Sequence, residues 1–316
     1  MNTKLKTTVL STAVTLALGL SDVATAGGSN ISEVLDSVKD KVTGKVVNST
    51  ESLVNESLNE YANQFGEGNT EISVYDIEKS DPSYSITTVQ PLIQTDDKAE
   101  TLFFQGSVYS FKNHGQKRPT INLGIGKRWL SDDKSEITGI NLFYDFETKS
   151  KHSRASLGAE YKRSVFEANA NAYWGLSDKK NVTVNGTAED EKVLDGYDVN
   201  AKGQVPYLPW MKVTGTHYKW KRNSKDDIEG GTYGIEAKLN SVTTLELGIQ
   251  DDNAMEKSNF ARLTYKFGPA AKSTNFKVDT VAFRDGTDMT DHLLDKVKRQ
   301  NKIITSRGVT MVVVKR

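Results

Sequence analysis

Alternation of apolar and polar residues dominates the middle of the chain. The run at residues 137–147 shows it, and the runs at 152–162 and 165–176 repeat it. A period of two predicts β-strands. In the first run one face is apolar and carries Ile140, Leu142, Tyr144 and Phe146. The other face is mixed and polar and carries Gly139, Asn141, Phe143 and Asp145. The polar face does not suit a dry core, so the pattern favours a water-filled lumen, with the apolar face and its terminal aromatics towards lipid.

The alternation extends over residues 70–268 and divides this region into twelve predicted strands. They cover residues 70–79, 83–92, 101–112, 120–130, 135–147, 152–162, 165–176, 192–204, 210–220, 230–239, 243–250 and 257–267. Most are close to the 9–11 residues that a tilted membrane-spanning strand needs. The predicted fold class is therefore an all-β transmembrane barrel of about twelve antiparallel strands. An even strand number is typical of bacterial outer-membrane barrels.

Loop lengths predict which end of the barrel faces outward. If the chain enters from the periplasm, the odd-numbered connections face outward and include 111–119, 148–151, 177–191, 221–229 and 251–256. The even-numbered connections include 131–134, 163–164, 205–209 and 240–241, and they are mostly shorter. Long external loops and short periplasmic turns distinguish the two ends of such barrels. The connection at 93–100 should be short and is not, so the pattern is weakest over the first two strands.

The N-terminus has the form of an export signal. Lys4 and Lys6 precede an apolar stretch, and Ala24-Thr25-Ala26 has the small-x-small form of a cleavage site. We predict a signal peptide over residues 1–26, cleaved between Ala26 and Gly27. Residues 27–69 form a predicted periplasmic segment, since apolar residues recur at spacings of three, four or seven between 31 and 65. This pattern indicates one helix or two, and favours a solvated linker over an oligomerisation or peptidoglycan-proximal segment.

Composition excludes several classes of function. The 316 residues carry 41 basic and 41 acidic side chains, so the basic surplus of a nucleic-acid-binding protein is missing. The chain has no cysteine, which removes thiolate metal sites and cysteine nucleophiles. The four histidines lack metal-ligand spacing, and His114 and His152 are expected as solvated residues at external strand ends. No serine has a convincing catalytic partner, so we predict neither enzyme activity nor a cofactor.

Several motifs in order resemble one family. They are the sequences at 139–146 (GINLFYDF), 152–154 (HSR), 157–161 (LGAEY), 168–173 (ANANAY), 194–199 (LDGYDV), 205–209 (VPYLP) and 123–129 (LGIGKRW), together with DDKAETLFFQG ending at Gly106 and LDKVKRQNKI at 294–303. They resemble the translocator barrel of the inverse autotransporters, the family of intimin and invasin. The resemblance implies a twelve-stranded outer-membrane barrel whose N-terminus is periplasmic. It also implies a linker that passes back through the pore, usually to immunoglobulin-like passenger domains on the cell surface.

The sequence departs from this family at its C-terminal end. Only 48 residues follow Gly268 in the chain of 316. This is too short for a usual passenger domain and a linker, so adhesion through such domains is not carried over. We expect a translocator with almost no passenger. It would act with a separately encoded passenger, or through its own external loops.

Residues 269–316 are the predicted pore linker or tail. A helix is expected over 288–299 with Asp288 as its N-cap, followed by β-prone stretches at 303–305 and 309–314. Five residues of this region are the predicted pore-linker residues. They are Leu294, which opens the segment that resembles the family, and the basic or polar residues Lys296, Lys298, Arg299 and Asn301.

The lumen-facing positions of the strands carry charges of both signs. They are Asp145, Arg154, Glu160, Lys162, Glu167, Lys202, Glu236, Lys238, Glu246, Arg262 and Lys266. Ordinary solvation of a wet pore is the favoured interpretation. The alternative is a set of charge pairs that hold the tail, in which Lys296, Lys298 and Arg299 meet carboxylates such as Glu160, Glu167 or Glu236.

Three functions remain open from the sequence. The first is an outer-membrane translocator that exports or presents its own C-terminal segment. The second is a small porin-like channel partly plugged by the tail, and the third is surface adhesion through the loop at 177–191. A lipocalin-like soluble barrel is disfavoured because the charged face has no apolar face opposite it except the one assigned to lipid. Expected partners are outer-membrane lipid and the barrel-assembly machinery, whose signal the ending Tyr265-Lys-Phe267 resembles. A separate passenger or a host surface ligand would be further partners.

Overall fold

The computed structural model describes residues 68–76, 83–113, 116–184, 187–222, 226–267 and 278–309. Seventeen strands lie in these ranges. They are β1 (Asn69–Tyr75), β2 (Ser83–Gln94), β3 (Glu100–Ser110), β4 (Lys112–Asn113), β5 (Gln116–Lys117), β6 (Thr120–Leu130), β7 (Glu136–Glu147), β8 (Ser153–Arg163), β9 (Phe166–Gly175), β10 (Lys180–Val184), β11 (Thr187–Val193), β12 (Gly196–Val205), β13 (Leu208–Trp220), β14 (Ile228–Lys238), β15 (Thr243–Asp252), β16 (Met255–Phe267) and β17 (Thr305–Val309).

Twelve of the described strands close into one antiparallel barrel. Their order around the wall is β1, β2, β3, β6, β7, β8, β9, β12, β13, β14, β15 and β16. The barrel closes between its first and last strands, where Thr70 lies opposite Phe267 and Tyr75 opposite Arg262. The first two strands, which loop lengths left least certain, are therefore part of the wall. Each of the twelve predicted strands overlaps an observed one, and the strand over residues 120–130 is predicted without error.

The two faces of the wall differ as the alternation predicts. Ile140 and Leu142 of β7 and Leu157 of β8 are each about half exposed on the outside of the barrel. Phe143 and Asp145 point inward and are almost completely buried. Exposed aromatics flank the apolar band, with Tyr144 and Trp174 towards one end of the strands and Phe166 towards the other. This outer surface suits a bilayer and its two interfaces.

The two ends of the barrel carry connections of different size. Short turns join the strands at one end, which we call the short-loop end; the turns after β6, β8 and β12 belong to it. The other, long-loop end carries the β4–β5 pair and the hairpin of β10 and β11. Strand β17 adds to this hairpin to form a three-stranded sheet. In the part of the chain that the structure describes, no helix is long and apolar enough to cross a bilayer.

The predicted helix over 288–299 is wrong. Only Thr290–His292 forms a 3₁₀ turn, and the chain then runs to β17 without regular secondary structure. Asp288 does accept a hydrogen bond from the Thr290 backbone N–H at 2.8 Å, but no helix follows. The predicted break between the two β-prone stretches, at residues 306–308, is also wrong, since these residues lie inside β17. The predicted helical segment at 31–65 and the signal cleavage site lie outside the described residues.

Candidate functional site

The described part of the C-terminal region, residues 278–309, passes through the barrel from the short-loop end to the long-loop end. We call this segment the tail. It first crosses the turn between β12 and β13, where Asp279 donates its backbone N–H to the Tyr207 carbonyl at 2.7 Å. Tyr207 in turn donates to the Ala282 carbonyl at 2.9 Å. Arg284 and the Val281 N–H donate to the Asp279 carboxylate and so hold this loop; the same hydrogen bonds keep the pKa of the Asp279 carboxyl well below its usual range.

The tail enters the lumen against strands β6 and β7. The Met289 backbone N–H donates to the Lys134 carbonyl at 2.8 Å. Met289 and Leu293 pack with Leu130 and Ile137 in a buried apolar cluster. Above this cluster Arg128 donates to the Leu293 carbonyl at 2.6 Å. Apolar side chains therefore fill the entrance on the β6–β7 side.

A second apolar cluster holds the tail halfway along the pore. Val297 packs with Val89, Phe103 and Phe143, and Leu294 lies against them. The Val297 N–H donates to the Gln105 side-chain oxygen at 2.8 Å. A single extended chain has no neighbouring strand to pair its backbone N–H and C=O groups. Side-chain amides of the barrel wall supply these hydrogen bonds instead.

The centre of the lumen is a buried charge cluster. Arg299 of the tail is bound to both Asp145 carboxylate oxygens, at 2.9 and 2.8 Å. Its guanidinium lies 4.3 Å from the Phe143 ring centroid. Arg154 of β8 pairs with the same Asp145 at 2.7 Å. It also donates to the tail carbonyls of Gln300 and Lys302. One carboxylate thus serves two guanidinium groups, and the geometry fixes the depth of the tail.

Amide side chains of the wall also bind the tail. Together with the contacts described above they form the binding site of the tail in the lumen, which we call the seat. Asn122 donates to the Asn301 carbonyl at 3.0 Å, and Asn171 donates to the Lys298 carbonyl at 3.0 Å. Asn169 bonds the same Lys298 carbonyl. These contacts lie on strands β6 and β9 and hold the backbone of the tail to this part of the wall.

Two ion pairs join the tail to the strands at the barrel closure. Lys296 lies 2.5 Å from the Glu71 carboxylate of β1, and Asp295 lies 2.7 Å from the Lys266 ammonium of β16. Glu71 and Lys266 are themselves opposite each other in the β1–β16 register. Two wall residues that could pair with each other are therefore each paired with a residue of the tail.

At the long-loop end the tail becomes part of a sheet. The Leu194 N–H donates to the Ile304 carbonyl at 3.0 Å, and β17 then pairs with β11 from Thr305 opposite Val193 to Val309 opposite Glu189. Ile304 packs on the buried cluster of Tyr173, Leu194, Tyr218 and Trp220. The loop at 177–191, expected as an external contact site, is thus a hairpin occupied by the tail.

A separate network of inward charges, which we call the far wall, consists of Glu167 of β9 and five residues of strands β12 to β16, namely Lys202, Lys212, Glu236, Glu246 and Arg262. Lys202 lies 3.0 Å from Glu236 and 3.6 Å from Glu167, and Lys212 lies 2.7 Å from Glu167. Arg262 of β16 pairs with Glu246 at 2.9 Å. Lys238 is half-buried on the same inward face. The close ion pairs of the far wall thus form within the wall, and Lys298 of the tail adds its charge near Glu246.

The alternative to a solvated pore, in which tail cations pair with Glu160, Glu167 or Glu236, is not observed as close ion pairs among the described residues. Glu160 pairs with Arg128 at 2.6 Å and with Lys162 at 3.2 Å, and the other two belong to the far wall. Arg299 reaches Asp145 instead, and Lys296 reaches Glu71. The expectation of a solvated His152 is wrong, because its ring is buried, 2.8 Å from the Ser177 hydroxyl and 3.2 Å from Glu191.

Several residues of the seat were not identified from the sequence. They are Asn69, Glu71, Gln105, Asn122, Arg128, Asn169, Asn171 and Tyr173. All lie on lumen-facing strand positions, and the alternating asparagines of ANANAY were the clearest available signal. The predicted lumen residues are all charged, so the neutral amides were not among them; Glu71 and Arg128 are charged but were also missed.

No metal-binding chemistry accompanies this geometry among the described residues. They contain no group of three or more His, Asp or Glu side chains that could hold a metal ion. Fold and site together define a bacterial outer-membrane β-barrel whose lumen is occupied by its own C-terminal segment.

The chain belongs to the inverse autotransporter family. The sequence profile of the inverse autotransporter β-domain matches residues 22–301, which is most of the chain. One relative is the inverse autotransporter adhesin YeeJ of Escherichia coli K12, 30% identical over 129 residues, 39% of this chain and 5% of YeeJ. Another is the putative attaching and effacing protein homolog of the same organism, 26% identical over 181 residues, 56% of each chain. The chain thus spans at most about half the length of these relatives.

A solved structure shares the fold. It comes from a study of the in-meso crystallization of membrane proteins, and it superposes with a TM-score of 0.63 at 18% identity. The match covers 76% of this chain and 99% of that one.

Proposed function

We propose that the barrel is a translocator that carries its C-terminal segment through the outer membrane and presents it at the cell surface. The observation that supports this most directly is the course of the tail, which contacts the wall continuously from Met289 at the short-loop end to β17 at the long-loop end. In the proposal the short-loop end faces the periplasm and the long-loop end faces outward. The barrel holds the segment after export rather than releasing it. Membership of a family with adhesin relatives favours a non-enzymatic role.

Surface labelling of single cysteines in intact cells tests the proposal. The chain has no cysteine, so Arg316→Cys introduces one thiol beyond the tail. We expect a membrane-impermeant maleimide to label this variant without permeabilisation. Lys179→Cys, on the exposed start of the hairpin, is the control for the outer side. Asp132→Cys, exposed in the turn after β6, is the control for the periplasmic side and should be labelled only after permeabilisation.

The result that contradicts the proposal is labelling of the Arg316→Cys variant only under conditions that also label the Asp132→Cys variant. A second candidate function, a channel partly plugged by the tail, rests on the same central cluster of Asp145, Arg154 and Arg299. It would be favoured by that labelling result combined with a large conductance on removal of the tail.

A further inference from the structure

A buried ionic cluster fixes the β10–β11 hairpin to the barrel rim. Arg118, just before β6, donates to both carboxylate oxygens of Glu191 in β11, at 2.9 and 2.5 Å. The same guanidinium lies 2.6 Å from Glu147 at the end of β7. His152, just before β8, lies 3.2 Å from Glu191. All four side chains are almost fully buried, and we call them the rim cluster.

The close contacts of the rim cluster join the hairpin to the wall, and the charges of Arg118 and Glu147 also act on Lys302 of the tail. The rim cluster joins strand β11 to residues that flank three barrel strands, β6, β7 and β8, which lie far from β11 in sequence. A bidentate contact between arginine and carboxylate is directional, and Arg fits it better than any other cation. Strand β11 is therefore attached to the wall at Glu191 as well as through the chain at Leu194.

The directions of β11 and β17 determine how an outward force on the tail would load the hydrogen bonds between these two strands. Strand β17 leaves the barrel at Thr305 and runs outward to Val309, and β11 runs back from Thr187 to Val193 at the rim. An outward force enters β17 at its outer end, whereas β11 is held at its inner end. The two strands are then loaded from opposite ends, so the hydrogen bonds between five residue pairs are strained together rather than one after another.

We propose that the hairpin and the rim cluster form a mechanical anchor that resists withdrawal of the surface-exposed segment when it is pulled away from the cell. The proposal rests on the proposed function, since it requires the tail to leave the barrel at the outer side. Glu191 is a positioning residue here. It holds β11 in place, and β11 holds the tail.

The test is the lifetime of attachment at constant outward force. The full chain in lipid nanodiscs carries Arg316→Cys as a handle for an optical trap, and the barrel is held through its membrane scaffold. We expect Glu191→Gln to shorten the lifetime at least about tenfold, a change equivalent to ~1.4 kcal/mol. Arg118→Lys keeps the charge but loses the bidentate geometry, so it should shorten the lifetime by a smaller factor.

Lys179→Gln is the matched control. It removes an exposed ion pair from the same hairpin, with Asp190 at 2.8 Å, and should leave the lifetime unchanged. Heat-modifiable migration in gels verifies that each variant retains a folded barrel. Equal lifetimes for Glu191→Gln, Lys179→Gln and the parent would overturn the anchor. A thiol handle at position 316 that cannot be reached from the outer side would instead overturn the proposed function.

Discussion

Arg299 is the tail residue whose removal should open the pore with least damage to the wall. Its guanidinium binds Asp145 twice and the Ser156 hydroxyl at 2.9 Å, and it covers the Phe143 ring. Arg299→Gln removes these contacts but leaves Asp145 paired with Arg154 at 2.7 Å. The substitution therefore weakens the seat of the tail and spares the barrel.

The magnitude follows from burial. Removing one partner of a buried ion pair costs about 3–5 kcal/mol. Since Asp145 keeps Arg154 and the Asn122 amide, we take the lower limit, about 3 kcal/mol. At roughly 1.4 kcal/mol for each factor of ten, the ratio of vacant to occupied seats rises by about two orders of magnitude.

Single-channel recording in planar bilayers measures this ratio as the fraction of time that the pore is open. Arg299→Gln should show frequent openings that the parent protein lacks. Arg284→Gln is the control, because it removes another tail arginine from a carboxylate partner, Asp279, outside the barrel and in solvent. An open fraction that is the same in Arg299→Gln, Arg284→Gln and the parent would refute a tail held by the central cluster.

Three further changes test the pore and the wall. Deletion of residues 269–316 should raise the single-channel conductance, and an unchanged conductance would contradict a plug. Gly124→Ala should destabilise the barrel by about 1–3 kcal/mol in urea unfolding, because its Cβ would lie 2.3 Å from the Phe143 ring, which packs on Val297; an unchanged midpoint would show that the ring can move aside. Leu157→Arg should cost about 2–4 kcal/mol in unfolding from lipid, since Leu157 is half exposed near the middle of β8, and no cost would mean that this face does not meet lipid.

The wall was predictable because its determinant is local. A period of two places Leu142 outside and Asp145 inside whatever the rest of the chain does. Gly124 and Gly126 lie on the inward face for the same reason, since an added Cβ would meet the inward rings of Phe143 and Phe103. Such positions follow from alternation along a single strand.

The tail was predictable only in kind. Its cations do meet wall carboxylates, but which ones depends on how far the tail rises and where each strand lies around the barrel. Arg299 therefore pairs with Asp145, whereas Glu160 forms its ion pair with Arg128 of the wall. The helix failed for a related reason, because donors remote in sequence, Arg128 and Asn69, bond the carbonyls of Leu293 and Leu294, which a helix would have used itself.

The charge arrangement of the lumen suits a pore whose occupant arrives after the wall has formed. Asp145 and Arg154 pair with each other as well as with the tail, and the far wall pairs within itself. Only Glu71 and Lys266 have their close ion pairs with the tail alone among the described residues. These two are cross-strand partners in the β1–β16 register, and opposite charges on facing positions attract. An empty barrel can thus pair them with each other, and the arriving tail exchanges that one contact for two through Asp295 and Lys296. The close ion pairs of the wall can therefore form without an occupant, which is what the proposed translocation requires of a barrel that would assemble first and receive its C-terminal segment afterwards.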